Sequence, residues 1–294
     1  MPSHALPLGV TAVMLPELDF DEQLDLCRQL GVTHYSIRPR VIPEDQLDQP
    51  YSCWGNHKFD LTPERLLREA EQIRGKLDDA GIVPFGTLPA VTVESERDEL
   101  ELHFEGAAAV GAGRMRVGPL SYPEESFNYV DLLDRTVDGY RRVVELARPF
   151  NMKIVIETHS RSLATSPALA WNICRHFEPR ELGVIFDIAN FSFEGAIRPN
   201  LAVAVLNDYI DHAHVGGGRC TEGRIDGQGF RESDNVMCSM TTGDLHIPSW
   251  IAALHHAGKH VPLIIEDFTP DETGEERFTR SAADLQRTLT SRAT

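Results

Sequence analysis

The chain has 294 residues, 41% hydrophobic and 25% charged, an ordinary globular balance with length enough for a large core. Its formal net charge of −17 speaks against nucleic acid as a partner, because that binding draws its affinity from basic patches. Five cysteines without CxxC spacing, no run of about 18 apolar residues and no basic-then-apolar leader predict a reduced, cytoplasmic protein with no membrane span.

Short β-branched runs alternate with stretches of helical period, the sign of repeated βαβ units around a parallel sheet. The first strand is expected at residues 9–13, followed by a helix near 20–30 that puts Leu24, Cys27 and Leu30 on one face and stops at Gly31. The second strand covers 34–38, and Thr62-Pro63-Glu64 then supplies a cap and a first-turn proline for a helix closing at Gly81. Strands at 82–87 and 114–117 enclose a helix at 95–110, and a helix at 127–150 leads to the fifth strand, 153–157. Ser166-Pro167 opens a helix that reaches His176. Strands at 183–187, 210–215 and 261–266 then alternate with helices near 201–209 and 248–256, and a last helix runs near 275–290. Phe104, Phe127, Phe150 and Trp171 fall on the helical stretches as packing residues. Eight such units predict one (β/α)8 TIM barrel over residues 1–294, a fold that typically takes ~250 residues. Two connections, 39–61 and 216–247, are longer than the rest and leave strands at the end where a barrel keeps its site, which makes them lid or substrate-loop candidates.

The last four strands each end in a metal-type ligand. Glu157 ends Lys-Ile-Val-Ile-Glu, Asp187 ends Gly-Val-Ile-Phe-Asp, His214 lies in Asp-His-Ala-His-Val, and Glu266 ends Pro-Leu-Ile-Ile-Glu. Any one of these could cap a helix or pair with an arginine. Four in succession, each costly to desolvate, are better explained by one shared cation at the C-terminal rim of strands five to eight. Three carboxylates and an imidazole make a hard, oxygen-rich site, suited to Mn²⁺ foremost, with Mg²⁺, Co²⁺ or Zn²⁺ as alternatives. His212 competes with His214; alternation is taken to let only one of them face inward, and His214 is preferred because Gly216-Gly217-Gly218 marks the strand's end.

Further candidates surround this set. His159, two residues beyond Glu157, is an acid/base or substrate contact or else a solvated loop histidine. Arg38 and Arg40, flanking Pro39 at the end of strand two, are candidates to hold a carboxylate or phosphate by bidentate hydrogen bonds, or else to pair with surface acids. Trp54-Gly55-Asn56-His57-Lys58 offers an aromatic plate for a sugar face, with His57 and Lys58 as polar partners, and Arg219 follows His214 in a glycine-rich turn.

This run of motifs resembles the xylose-isomerase-like TIM-barrel superfamily, the sugar isomerases and epimerases that include ketose 3-epimerases, inosose dehydratases and endonuclease IV. In its epimerases a single divalent ion is held by Glu, Asp, His and Glu at the ends of strands five to eight, and Glu157, Asp187, His214 and Glu266 fall on that pattern. The resemblance implies that Glu157 and Glu266 also carry the proton, through a metal-stabilised enediolate, on a ketose or keto-sugar substrate, in a protein that is often a homo-oligomer. Two positions depart from the ketose 3-epimerase pattern. Asn190 stands where those enzymes place a substrate-binding histidine, and Arg219 lies five residues after His214, where they have an arginine at six. An amide still hydrogen-bonds a hydroxyl but does not shuttle a proton. The same site would equally serve a lyase, expelling water or an aglycone from a keto-sugar. An endonuclease is disfavoured by the acidic chain and by the lack of further strand-end histidines.

Overall fold

The computed structural model describes residues 6–193 and 197–291. Strands β1 (Leu8–Thr11), β2 (His34–Ile37), β3 (Val83–Thr87), β4 (Arg114–Arg116), β5 (Lys153–Glu157), β6 (Leu182–Asp187) and β7 (Ile210–Val215) are followed by a hairpin, β8 (Gly217–Ile225) and β9 (Arg231–Cys238), and then by β10 (Leu263–Ile265). All but the hairpin pair in parallel as a closed barrel in the order β1-β10-β7-β6-β5-β4-β3-β2. The predicted (β/α)8 barrel is therefore the observed fold.

Helices α1 (Phe20–Gln29), α2 (Pro63–Arg68), α3 (Ala70–Ala80), α4 (Arg97–Ala109), α5 (Tyr129–Ala147), α6 (Pro167–Cys174), α7 (Pro199–Leu206), α8 (Ile247–His256) and α9 (Gly274–Thr290) form the outer layer. Their starts follow local chemistry: Asp19 with Glu22 and Thr273 with Glu276 close capping boxes, and Thr62 accepts from the Arg65 N–H ahead of Pro63. The helix expected to run unbroken to Gly81 bends at Glu69, so that α2 packs against α4. There Gly106 admits Leu66, whose Cδ2 would lie 3.3 Å from an added Cβ. Of the four expected packing aromatics, Phe104 is buried and Phe150 packs on it at 5.8 Å, while Phe127 and Trp171 are exposed. Phe127 stacks instead on Tyr122 at 6.0 Å, and Trp171 lies under Arg175 at 5.1 Å.

The barrel interior departs from the usual aliphatic filling. Its apolar part is a small cluster of Leu88, Val155 and Ile185. Below it, Asp211 takes Arg114 Nε at 2.6 Å, Lys153 Nζ at 2.8 Å and His212 Nδ1 at 2.9 Å, with the Phe85 ring 4.3 Å from the Arg114 guanidinium. Residues of β3, β4, β5 and β7 meet here, which the interior of a closed barrel allows. The β6–β7 register shifts so that Ile210 and His212 pair with successive β6 residues, a bulge that turns both Asp211 and His212 toward the two cations. Gly183 makes room, because a Cβ there would stand 2.7 Å from Lys153 Cε.

Candidate metal centre

At the C-terminal rim the strand ends bring Glu157, Asp187, His214 and Glu266 together, with ligand atoms all within 4.8 Å of one another. The barrel registers contribute to this: Asp187 pairs with His214, while Glu157 pairs with Ile185 two residues before Asp187 and Glu266 lies two residues past Ile264, the partner of His214, a stagger of the kind that tilted barrel strands carry. The His214 Nδ1 lies 2.7 Å from Glu266 Oε2, 3.4 Å from Glu157 Oε1 and 3.7 Å from Asp187 Oδ2, so Nδ1 is the imidazole atom that faces the three acids.

Three carboxylates at this separation, those of Glu157 and Asp187 buried and that of Glu266 partly so, repel one another and are stabilised by a cation among them. Burial lowers the pKa of His214, but Glu266 and the other two acids outweigh it and hold that pKa well above the ordinary imidazole range. Burial together with Glu157 and Glu266 raises Asp187. Burial also raises Glu157, yet Arg116 and His214 dominate and hold it well below the carboxylate range. A divalent ion would neutralise these acids and takes hard oxygen donors of this kind, so the four residues fit one.

Arg116 is a site residue that the sequence reading did not single out. Its Nη1 donates to Glu157 Oε2 and its Nη2 to the Pro89 carbonyl at 3.2 Å, so one carboxylate oxygen is tied and the other faces the centre. The available signal was Arg114-Met115-Arg116 itself, a barrel strand in which the two cations alternate with a buried methionine. His214 rather than His212 joins the cluster, but the alternation argument for choosing between them needs correction. Residues two apart on a strand share a face, and both imidazoles are buried with ring centroids 5.3 Å apart. His212 sits deeper, on Asp211, which is why it does not join the ligands.

The remaining candidates distribute as follows. Asn190 is buried, and its backbone N–H donates to Asp187 Oδ1 at 2.9 Å. His159 is exposed, with Nδ1 2.7 Å from the Ser160 carbonyl. Trp54 is 62% exposed, 4.8 Å from the Phe268 ring and 5.0 Å from the Arg38 guanidinium, so Trp54 and Arg38 border the opening beside Glu266. His57 turns into its own loop, its Nε2 3.1 Å from the Cys53 carbonyl. Lys58 is ion-paired at the start of α1, 2.6 Å from Glu22 and 3.4 Å from Asp19. Arg219 is exposed on β8, in register with Val236. The hairpin carrying it lies in a connection expected only as a loop; its strands are polar and exposed, without the alternation that announces a half-buried strand.

The model of the xylose isomerase-like TIM barrel family matches residues 24–289. The chain belongs to that family. Solved structures that share the family fold with it include 3-keto-D-glucoside 4-epimerase from E. coli in its apo form, 12% identical over 96% of this chain and 99% of that one with TM-score 0.69. The IOLI protein with a bound zinc atom is 17% identical over 98% and 99% with TM-score 0.70. D-psicose 3-epimerase in the presence of D-fructose is 13% identical over 97% and 99% with TM-score 0.69. No curated protein matches the chain significantly in sequence. Among the described residues no helix is long and apolar enough to cross a membrane, and all five cysteines are free.

Proposed function

We propose that the chain is a divalent-metal-dependent sugar isomerase or epimerase that moves a proton on a ketose or keto-sugar. The observation that carries this reading is the buried Glu-Asp-His-Glu cluster with a glutamate at each end, on β5 and after β10. Sugar epimerases among the structures of like fold, and the zinc in another, support it. Glu157, Asp187, His214 and Glu266 would hold the ion, Mn²⁺ foremost. When bound, the ion supplies Lewis-acid polarisation to neighbouring hydroxyl and carbonyl oxygens of the sugar.

The two glutamates are in unlike settings. Arg116 keeps Glu157 anionic against its burial and orients it, whereas Glu266 is the most exposed of the four, at 13% of its side chain, and its side chain bonds to His214 alone among the described residues. Glu266 is therefore placed to take a proton from the sugar carbon, and Glu157 to exchange one from the other side. Trp54 at the opening gives the sugar ring an apolar face to lie on.

Glu157→Gln is expected to lower turnover of an identified keto-sugar by about 10²–10⁴-fold, read by chromatography of the products. Unchanged turnover overturns the proton-carrying role. Mass spectrometry of the same reaction separates isomer from lyase: loss of water or of an aglycone replaces the isomerase reading with elimination at the same site.

A further inference from the structure

The mouth of the barrel holds a guanidinium that no carboxylate touches among the described residues. Arg38 continues the face of β2 that begins with His34, whose ring meets Phe85 at 5.2 Å in the barrel interior. Among the described residues Arg38 forms no ion pair, whereas its neighbours do: Arg40 stands 4.0 Å from Asp60, and Arg116 is bound to Glu157. One Arg38 nitrogen, Nη1, donates to the Cys53 carbonyl at 2.8 Å, and the group lies 5.0 Å from the Trp54 ring. Trp54 in turn rests on Phe268, two residues past Glu266, so guanidinium, indole and metal centre border one opening. Burial foremost, then the cations Arg40 and Arg116, outweigh the pull of Glu266 and press the Arg38 pKa down to about 10, so it stays charged at neutral pH in a setting that disfavours charge. A half-buried cation of this kind is stabilised by an anion, and the planar fork matches carboxylate or phosphate oxygens.

We propose that Arg38 is the anion-binding subsite of this mouth and that the substrate is an acidic keto-sugar, whose carboxylate or phosphate oxygens accept from the guanidinium while Trp54 lies against the ring. This rests on the sugar reading of the metal centre and narrows it to an anionic class. A local cation is also what a chain of net charge −17 requires to draw such a ligand in against its own field.

Three probes share a ketose skeleton and differ at the terminal carbon: D-fructose, D-fructose 6-phosphate and D-fructuronate. Each is titrated calorimetrically into the Mn²⁺-supplied full chain, as wild type, Arg38→Gln and Arg40→Gln. At least one anion is expected to bind the wild type about tenfold or more tighter than fructose. That ratio is expected to fall toward one in Arg38→Gln and to persist in Arg40→Gln, which loses contacts to the same Trp54 loop, at the carbonyls of Trp54 and Gly55. A preference for the phosphate ester identifies a phosphorylated substrate, and a preference for fructuronate a sugar acid. The proposal is overturned if fructose binds as well as both anions, if none of the three binds, if the ratio survives Arg38→Gln, or if Arg40→Gln abolishes it equally. Binding is read without turnover, so an intact anion preference with no product formed overturns the isomerase reading and leaves the subsite standing.

Discussion

Arg116 decides how Glu157 presents itself, since one carboxylate oxygen is tied to the guanidinium and the other faces the centre. Arg116→Gln removes that restraint and the charge that keeps Glu157 ionised. Supporting groups of this kind are worth about 10–100-fold in metal affinity or activity, and a loss of that size is expected in Mn²⁺ titration calorimetry, with secondary structure by circular dichroism unchanged. Affinity equal to the wild type would show that the three other ligands hold the centre alone. The four clustered residues were legible in the sequence because each ends an apolar run at one level of a repeating unit. Arg116 was not, since its meaning depends on facing Glu157 across the β4–β5 pair, a relation that only register reveals.

Among elements, capped helices and the hairpin differ in what they contribute. Thr62 accepts from the Arg65 N–H at 3.1 Å, and Thr62→Ala is expected to cost about 1 kcal/mol in urea unfolding. By contrast, replacing residues 222–233 of the hairpin by Asn-Gly is expected to shift stability by no more than about 0.5 kcal/mol, because those side chains are mainly exposed and touch little of the barrel. A larger loss would mean that the hairpin helps to hold the rim. Strand five was legible to the residue, since its β-branched run stops abruptly at Glu157, and strand seven because the glycines from Gly216 onward mark its end. The hairpin and the bend at Glu69 were not: the first has no buried face, and the second is imposed by packing against α4.

For the whole molecule, several histidines that are buried or partly buried resist protonation. Burial, opposed by the Cys53 carbonyl, lowers His57 to about 4, and burial also lowers His103 and His34. An unfolded histidine titrates near ~6.5, so between about pH 6.5 and 4 the unfolded chain binds protons that the folded chain refuses. These groups leave stability intact above that window and remove it progressively as pH falls through it. The thermal midpoint is therefore expected to drop from pH 7 to pH 5, and His57→Gln to flatten part of the slope; an unchanged slope would assign the loss to other groups.

The ionic plug of Asp211, Arg114 and Lys153 beneath Val155 and Ile185 leaves the cylinder with a sealed floor. A vessel with one door admits reactant and discharges product by the same route, past Trp54 and the long connections around it. The two species then contend for a single passage, and whichever leaves more slowly sets the pace for both directions of a reversible reaction.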